Sequence, residues 1–155
     1  MKIFIFLLFI GLALSGCSTS TNITPTFAPW YPSVNENGDP LLAVFESRIP
    51  CADCNTIKFG LALYRDRETK APTTYRMSRL FVGKGNDRTV NEGIWTITHG
   101  TKLDSQAVVY QLDSNAPTEY RSYWAIGQDI LFLLDQDMSP RVGDGGYSYA
   151  LNKTH

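Results

Sequence analysis

The sequence is poor in what enzymes and nucleic-acid-binding proteins usually need. It has 14 Lys and Arg against 15 Asp and Glu, scattered singly, so neither a basic nor an acidic face is expected, and no nucleic-acid partner. Histidine is nearly missing: His99 and the terminal His155 are the only two. There is no Ser-His-Asp order, no HExxH, no Gly-rich phosphate loop after a strand and no paired-carboxylate motif, so no enzymatic activity is expected. Apolar residues nowhere recur at the i, i+3, i+4, i+7 spacing of a helix over any length, which argues against a helical domain. No apolar run is long enough to span a bilayer. The longest, residues 3–14, is about a dozen residues, where a ~30 Å hydrocarbon core needs roughly 20.

That short run does have a reading. Lys2 supplies a positive n-region, and the run ends in Leu14-Ser15-Gly16-Cys17, so residues 1–16 are expected to be a secretory signal peptide. Small residues ahead of a cysteine resemble the lipobox of bacterial lipoproteins, in which the cysteine is acylated and becomes the mature N-terminus. Cys17 is accordingly expected to carry a lipid anchor to the membrane, and several acyl chains on one residue anchor stably where one would not. In that class Ser18, rather than Asp, implies sorting to the outer membrane. Residues 17–40 then read as the acylated cysteine and a tether, with Pro25, Pro29 and Pro32 breaking any regular pattern. Phe27, Trp30 and Tyr31 are unusual in a spacer and are expected to dock back on the folded domain rather than lie at the lipid interface.

Residues 41–155 suffice for one domain. Residues 41–49 alternate, with Leu41, Ala43, Phe45 and Ile49 on one face, and Pro50 ends them. Ile57, Phe59, Leu61 and Leu63 then alternate with Lys58, Gly60, Ala62 and Tyr64. Further strands are expected over 73–82, with a bulge around 78–81, and over 89–98, 107–112, 119–126, 130–134 and 147–151. Turn chemistry separates them, as at Gly83-Lys84-Gly85-Asn86-Asp87 and Gly127-Gln128-Asp129. About eight short strands in meander order make an all-β domain, an up-and-down antiparallel β-barrel or a sandwich. At this strand count a barrel is either filled by side chains or holds one small ligand.

Between the first two strands lies Pro50-Cys51-Ala52-Asp53-Cys54. Two cysteines at this spacing converge on one soft metal ion, and thiolate selects Cu(I); in an oxidising envelope the same pair closes into a disulfide. Asp53 and His99, or Met138, are candidate additional metal ligands if the fold brings them close. Thioredoxin-like exchange is disfavoured, because Ile57 onward has period two and no helix N-terminus lowers a thiol pKa. His99 in a turn reads more simply as a solvated residue, and Asp135, Asp137 and Asp144 as a solvated loop rather than a cation site. Tyr75, Trp95, Tyr110, Trp124, Tyr147 and Tyr149 either line a ligand pocket or fill and cover the barrel.

Taken together, several segments resemble the N-terminal domain of the copper-homeostasis lipoprotein family NlpE. They are Leu14-Ser15-Gly16-Cys17, Ile49 to Cys54, Leu63-Tyr64-Arg65-Asp66, Gly93-Ile94-Trp95 and Leu133-Leu134-Asp135. The resemblance covers roughly residues 45–151, and Pro-Cys-Ala-Asp-Cys is its specific part. It implies a lipocalin-like barrel on an outer-membrane lipoprotein of the cell envelope, tied to copper tolerance, envelope-stress signalling and an envelope-stress sensor protein as partner. Copper is the one cofactor it implies. The sequence departs from the family in lacking an Asp-Gly turn after Arg65. The oligonucleotide-binding-like second domain of some members is expected to be missing. A lipocalin-like carrier of a small apolar ligand, and a structural surface lipoprotein, are the alternatives.

Overall fold

Alternation is the physical cause of this fold, since each strand buries every second side chain and the sheet curls until those faces meet. The computed structural model describes residues 29–85, 88–143 and 148–155. Cys17, the signal peptide, Phe27, Asp144 and Tyr147 lie outside the described residues.

Eight strands follow in chain order among the described residues. They are β1 (Leu41–Ile49), β2 (Thr56–Arg65), β3 (Pro72–Val82), β4 (Arg88–His99), β5 (Val108–Leu112), β6 (Ser122–Ile126), β7 (Ile130–Leu133) and β8 (Ala150–Lys153). Each pairs antiparallel with the next, and β8 returns to β1 through Phe45 with Lys153 and Glu46 with Asn152, closing an antiparallel barrel. A one-turn 3-10 segment, Thr118–Tyr120, sits in the β5-β6 connection. In such a meander the β1-β2, β3-β4, β5-β6 and β7-β8 connections share one end. The β2-β3, β4-β5 and β6-β7 connections share the other with the C-terminus.

The core lies inside. Ala43, Phe45 and Ile49 of β1 and Ile57, Phe59, Leu61 and Leu63 of β2 meet Tyr75, Met77, Trp95, Leu112, Tyr123, Leu131, Leu133 and Leu151 across the lumen. Full burial of each large apolar side chain is worth roughly 1.5–3 kcal/mol. Trp95 also donates its Nε1–H to the Tyr64 carbonyl at 2.8 Å, which keeps the indole's polar end satisfied inside the barrel.

Three expectations need correction. Leu41 does not share a face with Ala43: it pairs with Tyr64 while Ala43 pairs with Leu63, so a register shift turns Leu41 outward against Tyr64 and Val44. The bulge expected at 78–81 is not there, because Ser78 to Phe81 pair without a break with Gly60 to Ile57. Alternation continues through a polar residue instead. Arg79 takes an inward position, its guanidinium over the rings of Tyr120 at 5.3 Å and Phe81 at 5.9 Å and its Nη2 donating to Asn91 Oδ1 at 3.0 Å. Finally, the last strand runs 150–153 rather than 147–151. Tyr149 precedes it, under the guanidinium of Arg141.

The stretch before β1 belongs to the barrel. Residues 30–40 lie on the outer face of β1 to β3, where Trp30 and Tyr31 cover Val44, Ala62 and Tyr64. Trp30 Nε1 donates to Glu46 Oε1 at 2.8 Å, Arg76 Nε donates to the Trp30 carbonyl at 2.9 Å, and Tyr64 Oη donates to the Pro32 carbonyl at 2.9 Å. The docking expected of Trp30 and Tyr31 is therefore seen.

Candidate functional site

The CxxC sits where β1 stops. Pro50 cannot donate to the ladder, so pairing between β1 and β2 ends at Ile49 with Ile57, and residues 50–55 form the connecting loop. Thr56 Oγ1 donates to the Ile49 carbonyl at 3.0 Å, and Asn55 N donates to the Val82 carbonyl at 2.9 Å, fixing both ends of that loop to the rim. Cys51 and Cys54 are joined as a disulfide with their Cα atoms 5.3 Å apart. Both are half-buried, with their side chains packed against the upper edge of the lumen core.

Asp53 is brought to the pair, its Oδ1 3.7 Å from Cys51 Sγ. Its other oxygen forms an ion pair with Lys84 of the β3-β4 turn, tying two rim loops together. Asp53 is 69% exposed, so this pair is worth little in stability and serves mainly to position the loop.

His99 is not brought there. It ends β4, whose other end, Arg88, lies beside Leu80 near the disulfide rim; eleven residues of strand, ~35 Å at ~3.3 Å each, separate the two ends. Met138 lies in the β7-β8 loop, and its carbonyl accepts from Lys102 N at 3.0 Å, tying it to the β4-β5 loop instead. His99 fails as an additional ligand because the length of β4, not sequence distance, sets where it ends up. Asp135 holds Arg141 at 3.0 Å and Asp137 holds Lys102 at 2.7 Å; this ion pair lowers the Asp137 pKa and raises that of Lys102.

These positions decide how the site suits copper. As a disulfide the pair offers no thiolate, and among the described residues no three His, Cys, Asp or Glu side chains converge. The donor set present does not fit a resident copper ion. What the arrangement can do chemically is exchange a disulfide for two thiols at a rim that solvent reaches.

The aromatic candidates divide. Tyr75 and Trp95 are buried in the core, and Tyr110 stacks against Trp95 with ring centroids 5.0 Å apart. Trp124 instead pairs with Phe132 on the outer wall. Burial raises the pKa of Tyr64 to about 12 and also raises those of Tyr75, Tyr110, Tyr120 and Tyr123. Sequence reasoning missed three cations, Arg65, Lys70 and Lys153, that stand at the barrel end opposite the disulfide. Lys153 lies beyond the strand that alternation predicts over 147–151, since β8 runs 150–153. Arg65, at the end of a well-defined strand, was legible.

A closed eight-stranded meander barrel, with a disulfide loop at one rim and an N-terminal strap on its wall, defines a small all-β barrel domain. Residues 45–144 match the model of the NlpE N-terminal domain, and the chain belongs to that family, which is not a family of enzymes. Among solved structures, a candidate lipoprotein from Shewanella oneidensis is similar at 18% identity and a TM-score of 0.45, covering 80% of this chain and 98% of that one. The Cpx pathway activator NlpE from Escherichia coli is similar at 20% identity and a TM-score of 0.45, covering 68% of this chain and 48% of that one. A search of curated proteins finds no match.

Proposed function

We propose that this protein is an outer-membrane lipoprotein, exported by the signal peptide of residues 1–16 and acylated at Cys17, that acts in copper homeostasis and envelope-stress sensing. The family match supports the class of role. The observation that carries the reading for this chain is the Cys51–Cys54 disulfide, half-buried at the rim and joined through Asp53 to the neighbouring turn. A disulfide exposed to exchange reports the thiol balance of its compartment, and its reduction removes the cross-link within the 50–55 loop at the edge of the core. The partner is an envelope-stress sensor protein that distinguishes the two states of that rim. Residues 30–40 pack on the barrel, so the tether in this reading is residues 17–29.

The test is a thiol count on protein taken directly from the envelope, before and after copper stress, followed by Cu(I) titration of the reduced form. A change in the count under stress supports a redox-responsive pair. Tight binding of one Cu(I) by the reduced form moves metal capture to the front. The reading fails if the pair never changes state, binds no Cu(I), and Cys51→Ser with Cys54→Ser leaves copper tolerance and an envelope-stress reporter unchanged.

A further inference from the structure

The barrel interior is filled unevenly. At the disulfide end Phe59 packs on Tyr120 and Tyr123, with ring centroids 5.3 and 6.5 Å apart, and closes the lumen. At the opposite end a cavity of about 320 Å3 remains, walled by residues of β1, β2, β3, β4, β5 and β8 and by Gln128 of the β6-β7 turn. It is thus the mouth of the lumen itself. Its volume is at the lower end of the ~300–1,000 Å3 usual for small-molecule sites.

The lining is segregated by depth. Ala43, Phe45 and Trp95, which are buried, form an apolar floor, and Ile97 continues it to the mouth, where it stays 47% exposed although its parity turns it inward. An isoleucine left open on the inner face of a barrel is surface that a ligand would cover. Around it stand Arg65, Lys70 and Lys153. Among the described residues none of the three joins an ion pair. Lys70 donates to the neutral Arg67 carbonyl. The carboxylate beside it, Asp66, accepts from Glu68 N at 2.9 Å and from Thr69 N and Oγ1 at 2.6 and 2.8 Å, and its charge attracts Lys70 only as a minor influence beside these bonds. No Asp or Glu lines the cavity among the described residues.

Three cations ringing a slot with an apolar floor match one kind of occupant. We infer that this mouth binds a single-chain amphiphile with an anionic head, its acyl chain on Phe45, Trp95 and Ile97 and its carboxylate or phosphate among Arg65, Lys70 and Lys153. Each buried methylene adds driving force, and the cations select head-group charge. The site lies at the far end from the disulfide, so this inference goes beyond the redox reading and stands or falls separately from it.

The test uses the mature chain, residues 17–155, with Cys17→Ser to prevent acylation. It is titrated below micelle-forming concentrations with dodecanoate, monododecyl phosphate, dodecanol and dodecyltrimethylammonium. Calorimetry is expected to show one saturable site for both anions, with the alcohol and the ammonium at least about tenfold weaker, the worth of one charge-assisted contact. A brominated dodecanoate should quench tryptophan fluorescence, and Trp95→Phe should remove most of that quenching. Arg65→Gln with Lys153→Gln should weaken the anions about tenfold and leave dodecanol unchanged. Ile97→Trp, at the open mouth where the fold tolerates bulk, should block all four ligands. A preference for phosphate points to a lysophospholipid-like ligand and one for carboxylate to a fatty acid, and either supports the inference. Equal binding of dodecanol and dodecanoate, or no saturable binding, or anion binding unaffected in the folded charge variant, overturns it. Cys51→Ser with Cys54→Ser should bind as the native chain does.

Discussion

The indole of Trp30 lies directly on the bare backbone of Gly60: a Cβ added there would stand 2.3 Å from Trp30 Cζ2. The strap over residues 30–40 thus depends on a strand position that has no side chain, and on the Glu46 carboxylate and Arg76 guanidinium that hold the indole and its carbonyl. Gly60→Ala is expected to displace Trp30, shift its fluorescence to the red and lower stability by about 1–3 kcal/mol, the usual cost of overpacking. An unchanged spectrum with unchanged stability would mean that the strap does not hold.

The disulfide closes a very short loop, with only two residues, Ala52 and Asp53, between its cysteines. Chain-entropy arguments then limit its contribution to about 2 kcal/mol. Reduction is expected to lower the unfolding free energy from urea titration by at most that much while leaving the far-ultraviolet spectrum of the barrel intact. Global unfolding on reduction would rule out a rim that changes state on a standing scaffold.

Burial raises the pKa of five tyrosines, Tyr64 to about 12 from an ordinary value of 10.0. A group whose pKa is higher in the folded state stabilises the fold fully below its unfolded value, and that contribution disappears as pH rises through the folded value. Stability should therefore hold up to about pH 10 and fall between there and pH 12. Urea unfolding at stepped alkaline pH, with phenolate absorbance followed in parallel, measures this. Tyrosines that all titrate near pH 10 in the folded protein would contradict it.

Arg79 has its Nε buried with no hydrogen-bond partner, although its Nη2 reaches Asn91. Replacing a half-satisfied internal charge by an apolar chain of similar length often costs nothing. Arg79→Met is expected to stay within about 1 kcal/mol of the native protein in thermal or urea unfolding. A loss several times larger would show that its ring contacts with Tyr120 and Phe81 carry more than packing.

The parts of the fold legible in the sequence are those where period two runs unbroken. β1 begins and ends where expected, and Ile57, Phe59, Leu61 and Leu63 face inward as their alternation requires. What failed did so where one residue interrupts the count. A register shift beside Leu42 turned Leu41 outward, and Arg79 kept an inward parity that a charged side chain disguises. The candidate site was legible in one loop only. Cys51, Asp53 and Cys54 are neighbours in sequence, and stay together in space. His99 and Lys153 depend on how far β4 and β8 run and where the barrel closes, and no local pattern encodes that, whereas Arg65 ends β2 where its alternation predicts.

The strap grips the barrel by its flank, at β1 to β3, rather than by either end. With an anchor at Cys17, the leash from 17 to 30 spans at most ~45 Å, at ~3.5 Å per residue. If Cys17 is acylated as proposed, a body moored sideways on so short a line would pivot at the membrane, and a small roll would be enough to exchange the end it turns toward lipid for the end it turns away.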